Sequence, residues 1–132
     1  MPGQDMSSDQ LREMLADYME NGYLDNIIDM FRHDRSLYPL VADLIRDERI
    51  RVRIGTTALL EELSRIDGAD VAAAVPHLLP LLDAAEPVVR GDAVNLLGII
   101  GHRTTVPFLE KMLRDEDHNV RILAEEALKD IG

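Results

Sequence analysis

Apolar residues fall into helical stripes along most of the chain. Leu11, Met14, Leu15, Tyr18 and Met19 recur at the three- and four-residue spacings that line one face of an amphipathic helix. Ser7 and Gln10 have the spacing of a capping box, and Met6 and Leu11 that of a hydrophobic staple. Asn21 and Gly22 are predicted to end this helix, Gly22 in the left-handed conformation that glycine adopts without penalty. A second stripe follows at once, with Leu24, Ile27, Ile28 and Phe31 inside and Asp25, Asp29 and Arg32 outside. Ser36 is predicted to cap a third helix.

From there the pattern repeats. Pro39, Pro76 and Pro107 each precede a valine by the same interval, reaching Val52-Arg53, Val89-Arg90 and Val120-Arg121. The pairs Leu44-Ile45, Leu81-Leu82 and Met112-Leu113 share one offset. Leu59-Leu60, Leu96-Leu97 and Ala127-Leu128 share another, and the short residues Thr56, Ala93 and Ala124 form a further column. Each unit reads as helix, acidic turn, helix, with proline in the first helical turn, where its missing N–H costs little. The interval between units is longer around residues 64–70, which predicts a longer loop or an extra helical turn. Gly68 is expected to end that longer helix, and Pro80 to bend the one beginning near Val75.

A fixed internal period marks a stack of helical pairs. Proline, apolar helix, Asp-rich turn, Val-Arg and then Leu-Leu over residues 36–132 resembles HEAT repeats, in the short bacterial form also found in phycobilisome lyases. The resemblance implies an all-α, right-handed α-α superhelix of about eight helices. It implies one continuous domain, with repeats at about 36–68, 69–101 and 102–132. Residues 1–35 do not fit the pattern and are expected to form a helical cap or a degenerate repeat. The resemblance further implies that Arg53, Arg90 and Arg121 form a structural ladder onto the acidic turns of neighbouring units. The last helix, with Glu125, Glu126, Lys129 and Asp130, is more polar than its equivalents, so the array is expected to stop there.

Charge narrows the function. Lys plus Arg number 14 against 25 Asp plus Glu, a net charge of −11 over 132 residues. That sign disfavours nucleic acid and anionic lipid as partners. No run is long and apolar enough to span a membrane. The N-terminal MPGQDMSSDQ lacks the basic and apolar regions of a secretory signal, so the expected location is the cytoplasm. The absence of cysteine excludes a disulfide framework, a thiolate zinc site and a cysteine nucleophile.

Catalytic constellations are missing. His33, His77, His102 and His118 do not form H-x-x-x-H, and no serine sits in G-x-S-x-G. Asp115-Glu116-Asp117-His118 could offer oxygens to a metal, but it reads first as an acidic turn at a helix start. The expectation is therefore a non-catalytic protein-binding scaffold without cofactor or metal. The alternative is an accessory subunit of a bilin-lyase-like enzyme. If second helices line the concave side, the residues beside their core stripes face a partner. These are Gly55, Ala58 and Glu62; Asp92, Asn95 and Ile99; Leu123, Glu126 and Asp130. A basic helix or segment would suit that face. Arg49 and Arg51, left without an assigned structural task, are a second candidate surface, and the terminal faces could pair two copies.

Overall fold

The computed structural model describes residues 7–132. Among the described residues there are eight helices and no strand. They are α1 (Ser8–Glu20), α2 (Leu24–His33), α3 (residues 35–44), α4 (Ile50–Ile66), α5 (residues 68–83), α6 (Pro87–Ile100), α7 (residues 103–112) and α8 (His118–Ile131). Consecutive helices pair into hairpins. α2, α4, α6 and α8 lie side by side in one layer, and the odd-numbered helices cover it from one side. One continuous apolar core runs between the layers, from Leu15 and Phe31 through Leu59, Leu78 and Leu97 to Leu109 and Ala127.

Local chemistry sets the helix ends. Ser7 Oγ accepts from the Gln10 N–H at 3.1 Å, and Gln10 Oε1 accepts from the Ser7 N–H at 2.9 Å. The staple expected of Met6 lies outside the described residues. Gly22 closes α1 with φ +86°, and Gly101 closes α6 with φ +70°. Two expected ends differ. Asp34, not Ser36, caps α3, because its carboxylate accepts both the N–H and the hydroxyl of Ser36. Gly68 does not end α4. The helix stops at Ile66 with Asp67 as its last cap, and Gly68 opens α5. The longer interval between units is taken up by the 17 residues of α4, against 14 in α6, and by the extra turn Gly68–Val71.

The first helices are wound unevenly, with 3₁₀ stretches at Ala72–Ala74 and Arg103–Thr105 and two more that contain proline. α5 tightens to 3₁₀ geometry over Leu79–Asp83, where Pro80 removes a donor. α3 does the same over Arg35–Leu40 around Pro39. Pro76 and Pro107 sit at the starts of α-helical segments, where no bond is lost.

Arginines tie the units together. Arg90 is 7% exposed. It donates from Nε and Nη2 to the two oxygens of Asp115, at 2.9 and 3.1 Å. Its Nη1 also closes its own turn, on the carbonyls of Ala84 and Ala85. Arg53 bonds Asp92 at 2.7 Å, which lies on α6 and not on the acidic turn before it. Asp83 of that turn ends α5 beside the α5–α7 groove, away from α4. Arg121 bonds the Asp115 carbonyl of its own turn at 2.7 Å, as Arg90 bonds the carbonyls of its own turn.

The first hairpin is joined by a different set. Arg49 is held by Asp47 and reaches Asp17 of α1 at 2.9 Å. Arg32 pairs with Asp67 and Arg35 with Asp70. Beneath these pairs Tyr38 is fully buried, edge-on to Phe31 with ring centres 5.3 Å apart.

Three outcomes follow from this packing. A Cβ on Gly98 would stand 2.7 Å from the Ala127 Cβ, where α6 and α8 touch. Overpacking costs about 1–3 kcal/mol, more than the ~1 kcal/mol alanine gains in a helix. Gly98→Ala should therefore melt several degrees below the parent, while Gly68→Ala, which meets nothing within 4 Å, should not.

Burial alone would raise the Asp115 carboxyl, but the Arg90 bonds overcome it and hold Asp115 below the usual aspartate range. The side-chain bonds from Arg49 likewise depress Asp47. Groups depressed in the fold support it above their unfolded pKa and lose that support as pH falls. Stability measured by denaturant titration should drop steeply below about pH 4, and less steeply in Asp115→Asn, which starts out weaker.

Burial, with Asp67 and Asp70 nearby, pushes the Tyr38 phenol up from 10.0 to about 12. The unfolded chain ionises first, so stability should fall as pH rises from 10 to 12. Tyr38→Phe should remove that alkaline loss and melt close to the parent at neutral pH.

Candidate interaction surface

The layer of second helices offers the broadest continuous surface, and its construction follows from how parallel helices pack. Gly91, early in α6, meets Val120 and Leu123, early in α8. Gly98, late in α6, meets Ala127, late in α8. The two helices therefore run in the same direction. α2 and α4 are aligned likewise: Leu24, Ile28 and Ala58 line one groove, and Arg32 meets Asp67 at its far end. The start of α2 lies beside the middle of α4, and the end of α1, at Met19, lies beside Gly55 near the start of α4.

The nine residues expected to face a partner divide into two kinds. Gly55, Asp92 and Leu123 share one repeat position, and it faces an earlier helix of the stack, α1 for Gly55, α4 for Asp92 and α6 for Leu123. A Cβ on Gly55 would touch Met19 at 3.3 Å. Asp92 receives Arg53, and Leu123 lies over Gly91. A lone amphipathic helix has one covered side, but a helix inside a stack has three. The helical wheel counted only the first, which is why this column was assigned to a partner.

The remaining residues lie nearer the open surface. Ala58 and Glu62 border the α2–α4 groove, where Glu62 pairs with Arg65. Asn95 and Ile99 are half-buried, and Ile99 packs against the core. Glu126 and Asp130 are exposed on α8.

The arginine cluster is not a free cationic patch. Arg49 is held by Asp47 and Asp17. Arg12, Arg46 and Arg49 line a hollow shared with Asp43, Asp47 and Glu48, so the guanidinium groups there are matched by carboxylates. Arg51 is exposed. The acidic turn before α8 is also occupied: Asp115 holds Arg90 and accepts from the Asp117 N–H, and Asp117 caps α8 through the Val120 N–H at 3.0 Å. Among the described residues no cluster of histidine and carboxylate side chains is arranged to hold a metal ion. No described helix is long and apolar enough to cross a membrane.

The sequence reading missed an apolar rim. Ile50, Ile54 and Val88, at the starts of α4 and α6, are 65%, 62% and 57% exposed. Ile50 and Ile54 flank Val52 by two residues on either side, off the core stripe. An apolar pair at that offset is the signal that could have found them. A second apolar groove lies in the other layer, where Pro80 pulls α5 away from α7. Leu79, Pro80, Phe108 and Met112 line it, and the Lys111 ammonium stands 5.9 Å from the Phe108 ring centre.

Residues 75–132 match a family model described as HEAT repeats. The match spans the end of α5 and all of α6, α7 and α8. No curated protein matches the chain. The stacked hairpins and this match together make the chain an all-α, HEAT-like solenoid.

Proposed function

We propose that the chain is a non-catalytic protein-binding module whose partner lies across the second-helix layer. HEAT repeats as a class mediate protein–protein contacts, and repeat stacks present extended surfaces for them. The observation that carries the reading is the rim formed by Ile50, Ile54 and Val88. Large β-branched side chains on helices gain nothing from propensity and, when exposed, nothing from burial. Their clustering at the starts of adjacent helices marks a contact surface. Residues 7–34 act as a cap on the stack, since Leu15, Met19, Ile27 and Phe31 are buried in the same core as the repeats.

The partner suited to this surface is a segment with apolar residues for the rim and basic residues for Glu61, Glu62, Glu126 and Asp130. A bilin-handling subunit would want exposed aromatics gathered at one groove. Here Tyr18 and Tyr23 sit together at the first hairpin, while Phe108 belongs to the other layer.

Affinity capture with the full chain as bait tests the proposal. Ile50→Asp plus Ile54→Asp should remove the captured partner while leaving the helical circular dichroism and melting intact, because both side chains are largely outside the core. A charge reversal at Glu126 and Asp130 to lysine should weaken capture without abolishing it. Unchanged capture by both folded variants would move the interface elsewhere.

A further inference from the structure

A recess opens between the starts of α6 and α8. Its volume is about 210 Å³, room for one large side chain. Pro87, Val88, Gly91, Val120 and Leu123 give it apolar walls, and Asp92 and Asp117 stand at its edge. Gly91 is the reason it exists. The same repeat position holds Ile54 in α4 and Ile122 in α8, so α6 alone of these three helices lacks a side chain there. A Cβ on Gly91 would already stand 3.1 Å from Leu123 Cδ1.

The charges at the edge are unequal. Arg53 places both of its hydrogen bonds on Asp92 Oδ2, so Oδ1 meets no donor among the described residues. Asp117 spends one oxygen, Oδ1, on the Val120 N–H. None of the described residues lining the recess is cationic. An apolar pocket edged by two carboxylates suits a side chain with an aliphatic stem and a charged head, the form of lysine and arginine.

We infer that this recess is the anchor site for a lysine or arginine side chain of the partner polypeptide. The inference rests on the proposed protein-binding role and adds its point of attachment. The aliphatic stem lies over Gly91 and Leu123, and the cationic head lies between Asp92 and Asp117. Val88 in the wall of the recess and Ile54 on the adjacent helix α4, both exposed, receive the apolar neighbours of that residue. Glycine at position 91 makes the site, and the two carboxylates select the charge.

Methyl-detected NMR of the full chain tests this, with N-acetyl-arginine amide as the probe and N-acetyl-leucine amide as its uncharged counterpart. The arginine compound should give saturable shifts at the Val88, Val120 and Leu123 methyls, and the leucine compound should not. Gly91→Ala should weaken the shifts, because its Cβ would stand 3.1 Å from Leu123 Cδ1 and crowd the wall of the recess. Asp117→Asn keeps the helix cap, because asparagine caps as well as aspartate. It should weaken binding roughly two- to fivefold, the size of a partly exposed charge pair. Equal or stronger shifts with the leucine compound would overturn the charge selection, and shifts unaffected by Gly91→Ala would overturn the site. Partner capture separates the two levels. Capture lost in Ile50→Asp/Ile54→Asp but retained in Gly91→Ala keeps the protein-binding role and rejects the anchor. Capture retained in both moves the interface off this layer and rejects the anchor with it, whereas a parent chain that captures no partner rejects the role itself.

Discussion

A pair of short helices has more apolar surface than it can cover by itself, and the fold is a response to that constraint. α6 shows it most clearly. Its core side is closed by α5, and its flanks by α4 and α8. Ala93, Val94, Leu96 and Leu97 are therefore buried around most of the helix circumference. Stability must then reside in the joints between units as much as within them.

The joints are not alike. Between α6 and α8, Gly98 lets the helices approach closely at Ala127, while Gly91 leaves room for the Leu123 side chain. Arg90 then bridges the turns at their starts. Between α4 and α6 no such glycine pair exists; α4 carries Ile54 and Glu61 at the equivalent positions, and the link is the Arg53–Asp92 pair. Between the first hairpin and α4 the contacts are Met19 on Gly55 and the pairs of Arg49 with Asp17 and Arg32 with Asp67, and Arg35 of α3 pairs with Asp70 of α5. Exposed pairs of that kind contribute little individually. The C-terminal half is thus joined by close backbone packing and a buried guanidinium, and the N-terminal half by more solvated contacts.

The sequence made the repeat legible because the repeat is a pattern of core positions. Val52 and Val120 are buried and Val89 is partly buried against the same core, and Thr56, Ala93 and Ala124 are all buried. The capping box at Ser7 and the left-handed glycines 22 and 101 were legible because each depends on neighbours within a few residues. What failed was anything decided between units. Arg53 could be assigned to a ladder but not to Asp92, because that choice depends on where Pro80 and the 3₁₀ turn leave Asp83. The contacts that Gly55, Asp92 and Leu123 make with earlier helices were not legible, because periodicity reports that a helix has a covered face, not how many neighbours cover it. Ile50 and Ile54 were passed over for the complementary reason: apolar residues off the stripe look like noise until the stack shows that nothing folds over them.

The same logic bears on charge. Arg32, Arg35, Arg49, Arg53 and Arg90 all face carboxylates at joints between hairpins. Their positive charge is neutralised where the units meet and adds little to the field outside. The excess of acid that gives the chain −11 is therefore expressed on the surface that remains, including the ends of the second helices. A neutral or basic partner approaching that layer meets attraction from most directions, which raises encounter rates without fixing a pose. Pose has to come from shape. On this layer shape is supplied where a joint is imperfectly filled, at the recess above Gly91, and where a side chain stands beyond the reach of the core, at Ile50, Ile54 and Val88. Regular packing builds the solenoid, and departures from regularity distinguish one part of its surface from another.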